Sequence, residues 1–194
     1  MGIDSPRIEA AVAEILAAIG EDPARPALVD TPRRVAEAYA EFFSGIGEDP
    51  LGPLRDSAEL VAAPEELGEL VLLRDVDFRS VCEHHLLPFL GVAHLAYAPG
   101  DRIVGLGRLT RVVEILSSRP QLQERLGEQI ADTLQEGLAP RGVLVVLDAR
   151  HGCVTARGTR QVDSTTVTIA SRGTLSDPTV QAGVLATLAR GVER

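Results

Sequence analysis

The sequence contains no lysine, and all 19 of its basic residues are arginine. Because this bias runs through the whole chain, an arginine at any one position says little about selection for a function there. Acidic residues number 28, which gives a formal net charge of −9 and a pI near 4.9. An acidic protein of this kind is not expected to have nucleic acid or an anionic membrane as a general partner.

Long apolar runs are missing as well. No stretch approaches the ~20 residues that a membrane-spanning helix needs, and the start, MGIDSPRIEAAVAEIL, lacks the basic head and apolar core of a secretory signal. We therefore expect a cytoplasmic protein with no membrane partner. The chain has only two cysteines, which in the cytoplasm are expected to be thiols or metal ligands rather than a disulfide.

Helical patterns occupy the first third of the chain. Residues 5–19 place apolar side chains at helical spacing, with Ser5 as the expected N-cap. Residues 30–45 repeat the pattern, with Asp30 or Thr31 as the cap and Pro32 at the start. The stretch 46–66, rich in glycine, proline and acidic residues, predicts a loop with one short helical turn. We assign residues 1–66 to an N-terminal helical unit.

From residue 67 the pattern changes to short β-type runs between turn residues: ELVLLRDVDF, GVAHLAYAP and DRIVGLG. Two helices are predicted next, in LTRVVEILSS and PQLQERLGEQIADTLQEGL. RGVLVVLDARHGCVTARG and DSTTVTIASRG predict two further strands, and the segment after Pro178 predicts a helix. This order indicates an α+β domain at 67–194, an antiparallel sheet with two helices covering one face.

Five of the six cysteine and histidine residues fall in two clusters, Cys82, His84 and His85 in CEHH, then His151 and Cys153 in HGC. A Cys-x-x-His spacing lets one tight turn present two ligands to one ion. If the strand before HGC continued through it, His151 and Cys153 would point to the same face. Cys82, His85 and Cys153 would then supply two thiolates and one imidazole, and the open fourth position is typical of catalytic zinc.

Such a site would make a bound water nucleophilic near neutral pH, and would leave His84 and His151 to move protons. Spacing alone gives equal weight to a structural reading, in which the cysteines are small core residues and the histidines are hydrogen-bonded. A disulfide between Cys82 and Cys153 is the other alternative, which a cytoplasmic setting disfavours.

Arginines flank these clusters. Arg108 and Arg111 stand one turn apart at a predicted helix start, and Arg157 follows the second cluster. Guanidinium groups and helix N-termini both suit phosphate, although a solvated helix face explains most surface arginines. The neighbours Gln123 and Glu124 offer an amide and a carboxylate that are able to read the edge of a guanine ring, but an exposed polar helix surface is commoner.

Four segments occur in order within residues 20 to 175: EDPARPALVDTPRRVAEAY, CEHHLLPF, GLGRLTRVVEILSSRPQLQERLGEQIADTL and ARHGCVTARG. In combination they resemble the GTP cyclohydrolase I family. The resemblance implies a tunnelling fold, assembled into a toroidal homodecamer with active sites at subunit contacts. It also implies an enzyme that converts GTP and water to formate and 7,8-dihydroneopterin triphosphate.

The resemblance implies a role for each candidate residue. Zinc would be held by Cys82, His85 and Cys153, and its water would attack C8 of the purine. His84 and His151 would shuttle protons. The remaining candidates would hold the substrate, the guanine by Gln123 and Glu124, and the triphosphate by Arg34, Arg108, Arg111 and Arg157.

The sequence departs from the family mainly at the phosphate segment, which usually reads Gly-Leu-Ser-Lys and here reads GLGR. Arg108 keeps the positive charge, but Gly107 removes a hydroxyl donor. Glu37 places an acid where relatives often have a base, and TVQAGVLATLA lacks the usual Arg and Glu-Phe pattern. We therefore expect ring opening to survive, with the affinity for the triphosphate as the weaker point.

Three alternatives remain open at this level. The first is a specialised paralogue that acts on another guanine nucleotide or stops at a ring-opened intermediate. The second is a non-catalytic purine- or pterin-binding protein of the same fold, and the third is a zinc-stabilised structural module. A binding or structural module has no need of His84 and His151 beside an open metal position, so the intact set of five disfavours both.

Overall fold

A computed structural model of the chain describes residues 2–55, the backbone of residues 58–59, and residues 70–189. The predicted boundary between the N-terminal unit and the catalytic domain, at residues 66–67, lies outside the described residues. None of the described helices combines the length and the apolar character required to cross a membrane.

The N-terminal unit contains two helices, α1 (Ser5–Ala18) and α2 (Thr31–Phe42), which pack against each other. The cap of α1 is Asp4 and not the predicted Ser5, because the Asp4 carboxylate accepts the N–H of Arg7 at 3.2 Å. A 3-10 turn at Gly52–Leu54 is the short helical turn that the sequence predicted in this loop.

The 3-10 turn also attaches the N-terminal unit to the rest of the molecule. Its Leu54 side chain is buried against Gly137. A Cβ on Gly137 would lie 2.4 Å from Leu54 Cδ1, so the glycine makes this close approach feasible.

The other elements, in chain order, are β1 (Ala58–Glu59), β2 (Val71–Cys82), β3 (Pro88–Ala98), β4 (Arg102–Ile103), α3 (Leu106–Ser117), β5 (Pro120–Gln121), α4 (Gln123–Leu138), β6 (Gly142–His151), α5 (Gly152–Thr155), β7 (Thr166–Gly173) and α6 (Pro178–Ala189). The main sheet has the order β5-β2-β3-β6-β7. Its four long strands are antiparallel, and only the short β5 runs parallel to β2.

The main core lies between this sheet and the helices α3 and α4. Alternate residues of β3, including Phe89, Leu95 and Tyr97, point to the helices. The apolar faces of α3 and α4 meet them with fully buried side chains: Leu109, Leu126, Ile130, Leu134 and Leu138. The expected α+β tunnelling architecture, an antiparallel sheet backed by two helices, is therefore confirmed.

Two local predictions were wrong. Only Arg102–Ile103 of DRIVGLG forms a strand, because the helical spacing of α3 extends back to Leu106. The last strand pair of β6 joins His151 to Phe89, and Gly152–Thr155 is a helical turn. The ladder stops there because Pro88, the next partner, has no N–H, and its carbonyl oxygen lies 2.8 Å from the Cβ position of Gly152.

Candidate active site and metal centre

The first half of the site is the turn that joins β2 to β3, residues 82–88, which we call the ligand turn. The carbonyl of Cys82 accepts the N–H groups of His85 at 3.3 Å and Leu86 at 2.8 Å, and the Cys82 N–H donates to the carbonyl of Leu87 at 2.9 Å. Leu86 has the left-handed φ of 52° that such a tight reversal demands. The turn buries Cys82 and leaves His84 and His85 exposed.

The second half of the site is the helical turn α5, which carries Cys153. Ligand atoms of Cys82, His85 and Cys153 lie within 4.8 Å of one another, and Cys82 Sγ is 3.8 Å from His85 Nδ1. Tetrahedral bonds of the length that zinc makes place ligand atoms ~3.5–3.8 Å apart, so small side-chain adjustments suffice. Both cysteines are free thiols. The chain therefore builds a possible Cys-His-Cys metal site, although by a helical turn and not by the predicted strand.

The electrostatics of the two cysteines, Cys82 and Cys153, favour a bound cation. Burial, and next the neighbouring Cys82 sulfur, raise the pKa of the Cys153 thiol, while Arg157 acts in the opposite direction. Two adjacent thiolates without a cation repel each other. A coordinated divalent ion reverses this effect, because metal-bound thiols are deprotonated.

His151 stands at the end of β6, beside the cluster. Its ring stacks on Phe89, with centroids 4.6 Å apart and planes at 6°. Nε2 lies 2.6 Å from Gln123 Oε1. Burial lowers the pKa of His151 from its ordinary value, against a smaller opposite effect of Glu124, so the ring is neutral near pH 7.

Gln123, at the start of α4, is only 1% exposed. Its Nε2 group donates toward three acceptors, Leu147 O at 3.1 Å, Thr166 O at 2.8 Å and Thr168 Oγ1 at 3.2 Å. Reversing the amide would set Oε1 against two carbonyl oxygens. The amide orientation is therefore fixed, and Oε1 must accept a hydrogen bond from His151 Nε2–H, which leaves the lone pair of His151 on Nδ1.

The resemblance assigned Gln123 to the guanine, and that role stays a prediction. The polar atoms of Gln123 all face other protein groups, whereas Glu124 is exposed beside it. Sequence spacing held no signal for the contacts of His151 with Gln123 and Phe89. They depend on the β3–β6 register, which pairs Phe89 with His151.

Of the candidate phosphate arginines, Arg157 acts electrostatically on Cys153, whereas Arg34 lies on α2 and Arg108 and Arg111 lie on α3. Arg111 forms ion pairs at 2.8 Å with Glu48, from the loop after α2, and with Glu114. Arg34 lies 3.5 Å from Asp30. Arg108 is exposed in the first turn of α3, and Arg157 is exposed just beyond α5.

The direction of α3 explains this separation. The helix ends near the ligand turn, because Ser80 Oγ donates to Arg119 O at 3.2 Å and Gln121 pairs with Cys82. At 1.5 Å per residue, Arg108 stands about 14 Å back along the helix from Ser117. Within one chain, Arg108 therefore lies at the end of α3 opposite the metal ligands, and Arg111 lies about halfway along the helix.

Two positions that the sequence marked as unusual have clear surroundings. No atom lies within 4 Å of the Cβ position of Gly107, so a serine fits there without rearrangement. The Glu37 carboxylate is 2.5 Å from Arg33. Arg33 therefore balances part of the negative charge of Glu37, which was expected to repel a triphosphate.

Known proteins are similar to this sequence along nearly its whole length. Residues 8–189 match the family described as GTP cyclohydrolase I. GTP cyclohydrolase 1 of Leifsonia xyli subsp. xyli is 60% identical over 194 residues, covering 98% of each chain. The protein of the same name from Thermobifida fusca is 52% identical over 183 residues, 89% of this chain and 82% of its own.

A solved structure of the archaeosine synthase QueF-Like in the apo form covers 55% of this chain and 95% of its own, with 15% identity and a TM-score of 0.44. The family match and the curated relatives extend over most of the chain, including all the candidate site residues. The chain therefore belongs to the GTP cyclohydrolase I family and is an enzyme of that type.

Proposed function

We propose that this protein is a zinc-dependent GTP cyclohydrolase. It opens the imidazole ring of the guanine at C8, releases formate and rearranges the product to 7,8-dihydroneopterin triphosphate. The observation that carries the proposal is the convergence of Cys82, His85 and Cys153 within 4.8 Å, beside a His151 that is held by Gln123, in a chain of this family.

Zinc would be held by these two thiolates and one imidazole, a donor set that suits it. When bound with an open fourth position, zinc supplies a water that is nucleophilic at neutral pH. A cytoplasmic setting fits the proposal, because it keeps Cys82 and Cys153 reduced.

Proton transfer is assigned to His151 and His84. Nδ1 of His151 holds the lone pair and accepts a proton, because Nε2–H is bonded to Gln123. The Phe89 ring covers one face of the imidazole and keeps water from it. His84 is exposed on the ligand turn, where it is able to meet a bound purine.

Recognition of the guanine falls to Glu124 in this proposal. Its carboxylate is exposed at the start of α4, next to the buried Gln123. Gln123 contributes by holding His151, and its contact with the base is indirect. This division follows from the four hydrogen bonds that already occupy the Gln123 amide.

The triphosphate is assigned to Arg34, Arg108, Arg111 and Arg157, in a site shared between subunits. The ~14 Å of helix between Arg108 and the metal end of α3 supports sharing, because one chain holds the two groups apart. The described part of β7 pairs only with β6, and Val167 and Ile169 are exposed on it. An open strand of this kind favours a homo-oligomer, and family resemblance suggests a decamer.

A second candidate function rests on the phosphate end. Gly107 offers no hydroxyl, and phosphate must compete with Glu48 and Glu114 for Arg111. A specialised paralogue that acts on another guanine nucleotide, or that stops at a ring-opened intermediate, would show these features.

One experiment separates the candidates. Zinc-loaded protein is incubated with GTP, GMP or guanosine, and formate and pterin absorbance are followed together. GTP as the best substrate, with both products formed, supports the first proposal. Formate without pterin, or a preference for GMP, favours the second. Neither product from any substrate contradicts both and favours a non-catalytic binding protein.

A further inference from the structure

Glu83 sits inside the ligand turn, between the metal candidate Cys82 and the proton carrier His84, and the reaction gives it no role. Its backbone N–H donates to Gln121 O at 3.1 Å. Its two carboxylate oxygens both face the Arg125 guanidinium, in a two-pronged ion pair whose longer contact, from Nη1 to Oε1, is 3.5 Å.

Arg125, on α4, is itself held in place. Its Nε group donates to Gln121 Oε1 at 3.3 Å. Gln121 is 2% exposed, and its Nε2 group donates to Leu116 O at 2.9 Å and to Gln129 Oε1 at 2.8 Å. A buried amide that is tied to α3 and α4 therefore orients the guanidinium.

The position of His85 depends on this attachment. Cys82 belongs to β2 and to the main core, whereas His85 and its neighbours His84 and Leu86 are exposed. The hydrogen bonds that close the turn run between its own residues, from Cys82 to Leu87. The contacts of Glu83 tie the exposed part of the turn to α4.

We propose that Glu83 and Arg125 are positioning residues for the metal site, which hold the ligand turn so that His85 meets Cys82 and Cys153. This inference rests on the proposed metal site. The same helix also begins with Gln123, which holds His151. α4 thus contacts both the turn that carries a metal ligand and the proton carrier His151.

The competing explanation is an ordinary surface ion pair. The side chains of Arg125 and Glu83 are 44% and 30% exposed, and pairs of this kind contribute little to stability. That explanation predicts no change in metal affinity when the pair is removed. Positioning predicts a loss of metal affinity with almost no change in the melting temperature of the metal-free protein.

The test measures Co²⁺ and Zn²⁺ dissociation constants by competition with a chromophoric chelator, together with the visible spectrum of the Co²⁺ form. Glu83→Gln and Arg125→Met each weaken metal binding about tenfold, the lower end of the range for groups that orient metal ligands, and shift the Co²⁺ bands. The double variant binds no more weakly than the worse single variant, because each residue acts through the other. Arg125→Lys keeps the charge without the fork and falls between wild type and Arg125→Met.

Glu128→Gln is the matched control. Glu128 is also on α4 and pairs at 2.5 Å with Arg172. Arg172 is the partner of Val143 in the β6–β7 ladder, and Val143 is about 26 Å along β6 from His151. This variant retains wild-type metal affinity. Wild-type affinity and an unchanged Co²⁺ spectrum in both single variants would overturn the positioning role and leave the metal site standing. A wild-type protein that binds neither ion would overturn the proposed function and this inference with it.

Discussion

The two ends of α3 meet different demands. Near its C-terminal end, the ligand turn, α5 and His151 form a site that one chain assembles from buried or hydrogen-bonded groups. Toward its N-terminal end, Arg108 is exposed, and the half-buried Arg111 is already paired with carboxylates. Under the proposed function, the metal chemistry would be organised within one chain, whereas phosphate binding would depend on groups that exchange partners or come from another subunit.

The largest expected effect is at the metal end. Cys153→Ser removes a thiolate and leaves two ligands, so we expect less than one zinc per chain. Formate release should fall by at least ~100-fold, because the loss of groups that only support metal ligands already costs about 10–100-fold. Metal analysis after gel filtration checks the occupancy. Retention of one zinc per chain would remove Cys153 from the site.

Gln123→Leu tests the support of His151. It leaves His151 Nε2–H and the carbonyls of Leu147 and Thr166 without their partner. We expect kcat to fall about 100-fold, the lower range for misplaced general acid–base groups, and stability to fall by about 1–3 kcal/mol. Steady-state kinetics and thermal unfolding check this. A higher KM with unchanged kcat would show instead that Gln123 contacts the guanine.

At the phosphate end, Gly107→Ser restores a hydroxyl in open space. A hydrogen bond to a charged phosphate is worth about 1.5 kcal/mol, so GTP binding should tighten about tenfold, with little change for guanosine. Gly183→Ser on α6, where the Cβ position is also open, is the control. Equal GTP affinity in Gly107→Ser and wild type would mean that position 107 does not face the phosphates.

Glu48→Gln sharpens the same comparison with a smaller effect. It removes one carboxylate from Arg111 and leaves Glu114 in place. Exposed pairs of this kind are worth about 0.2–1 kcal/mol, so we expect KM for GTP to fall by roughly 1.4- to fivefold with kcat unchanged. A KM that rises would show that Glu48 supports Arg111 in its binding position.

The smallest effect lies away from both ends, on the sheet face opposite α3. His94 Nδ1 accepts the N–H of Asp75 at 3.2 Å. Burial lowers the pKa of His94, opposed by Asp75 and Asp148 and assisted by Arg74. Because the pKa of His94 is lowered in the folded state, its contribution to stability is fully present above the ordinary value of 6.5. That contribution is lost as pH falls from there through the folded-state pKa. Unfolding of wild type and His94→Gln between pH 5 and 8 should show a weaker pH dependence in the variant; parallel curves would contradict it.

Much of the fold follows from local patterns in the sequence. Apolar spacing predicted α1 to α4, because each helix buries one continuous face or packs on its neighbour. The cysteine and histidine clusters predicted the metal candidates, since the chain has only two cysteines and four histidines. The path through HGC was mispredicted because it depends on Pro88, which lies 64 positions earlier and faces Gly152 only after the sheet has formed.

The pairings at the site were beyond the reach of sequence patterns. The role of Gln123 depends on carbonyls of β6 and β7, which strand register alone brings to the start of α4. One partner of Arg111 is Glu48, which lies in a loop whose sequence has no periodic pattern. In the same way, the ion pair of Glu83 could not be predicted, because only the folded chain brings Arg125 of α4 beside it.

The most direct test of the account is complementation between two inactive variants, Cys153→Ser and Arg111→Ala. Each is purified, and the two are dissociated, mixed in equal amounts and reassembled, and formate release from GTP is measured. If an active site takes its metal end from one chain and its phosphate arginines from another, about a quarter of the sites regain both halves. We therefore predict about a quarter of wild-type activity; a mixture as inactive as its components would contradict the shared site.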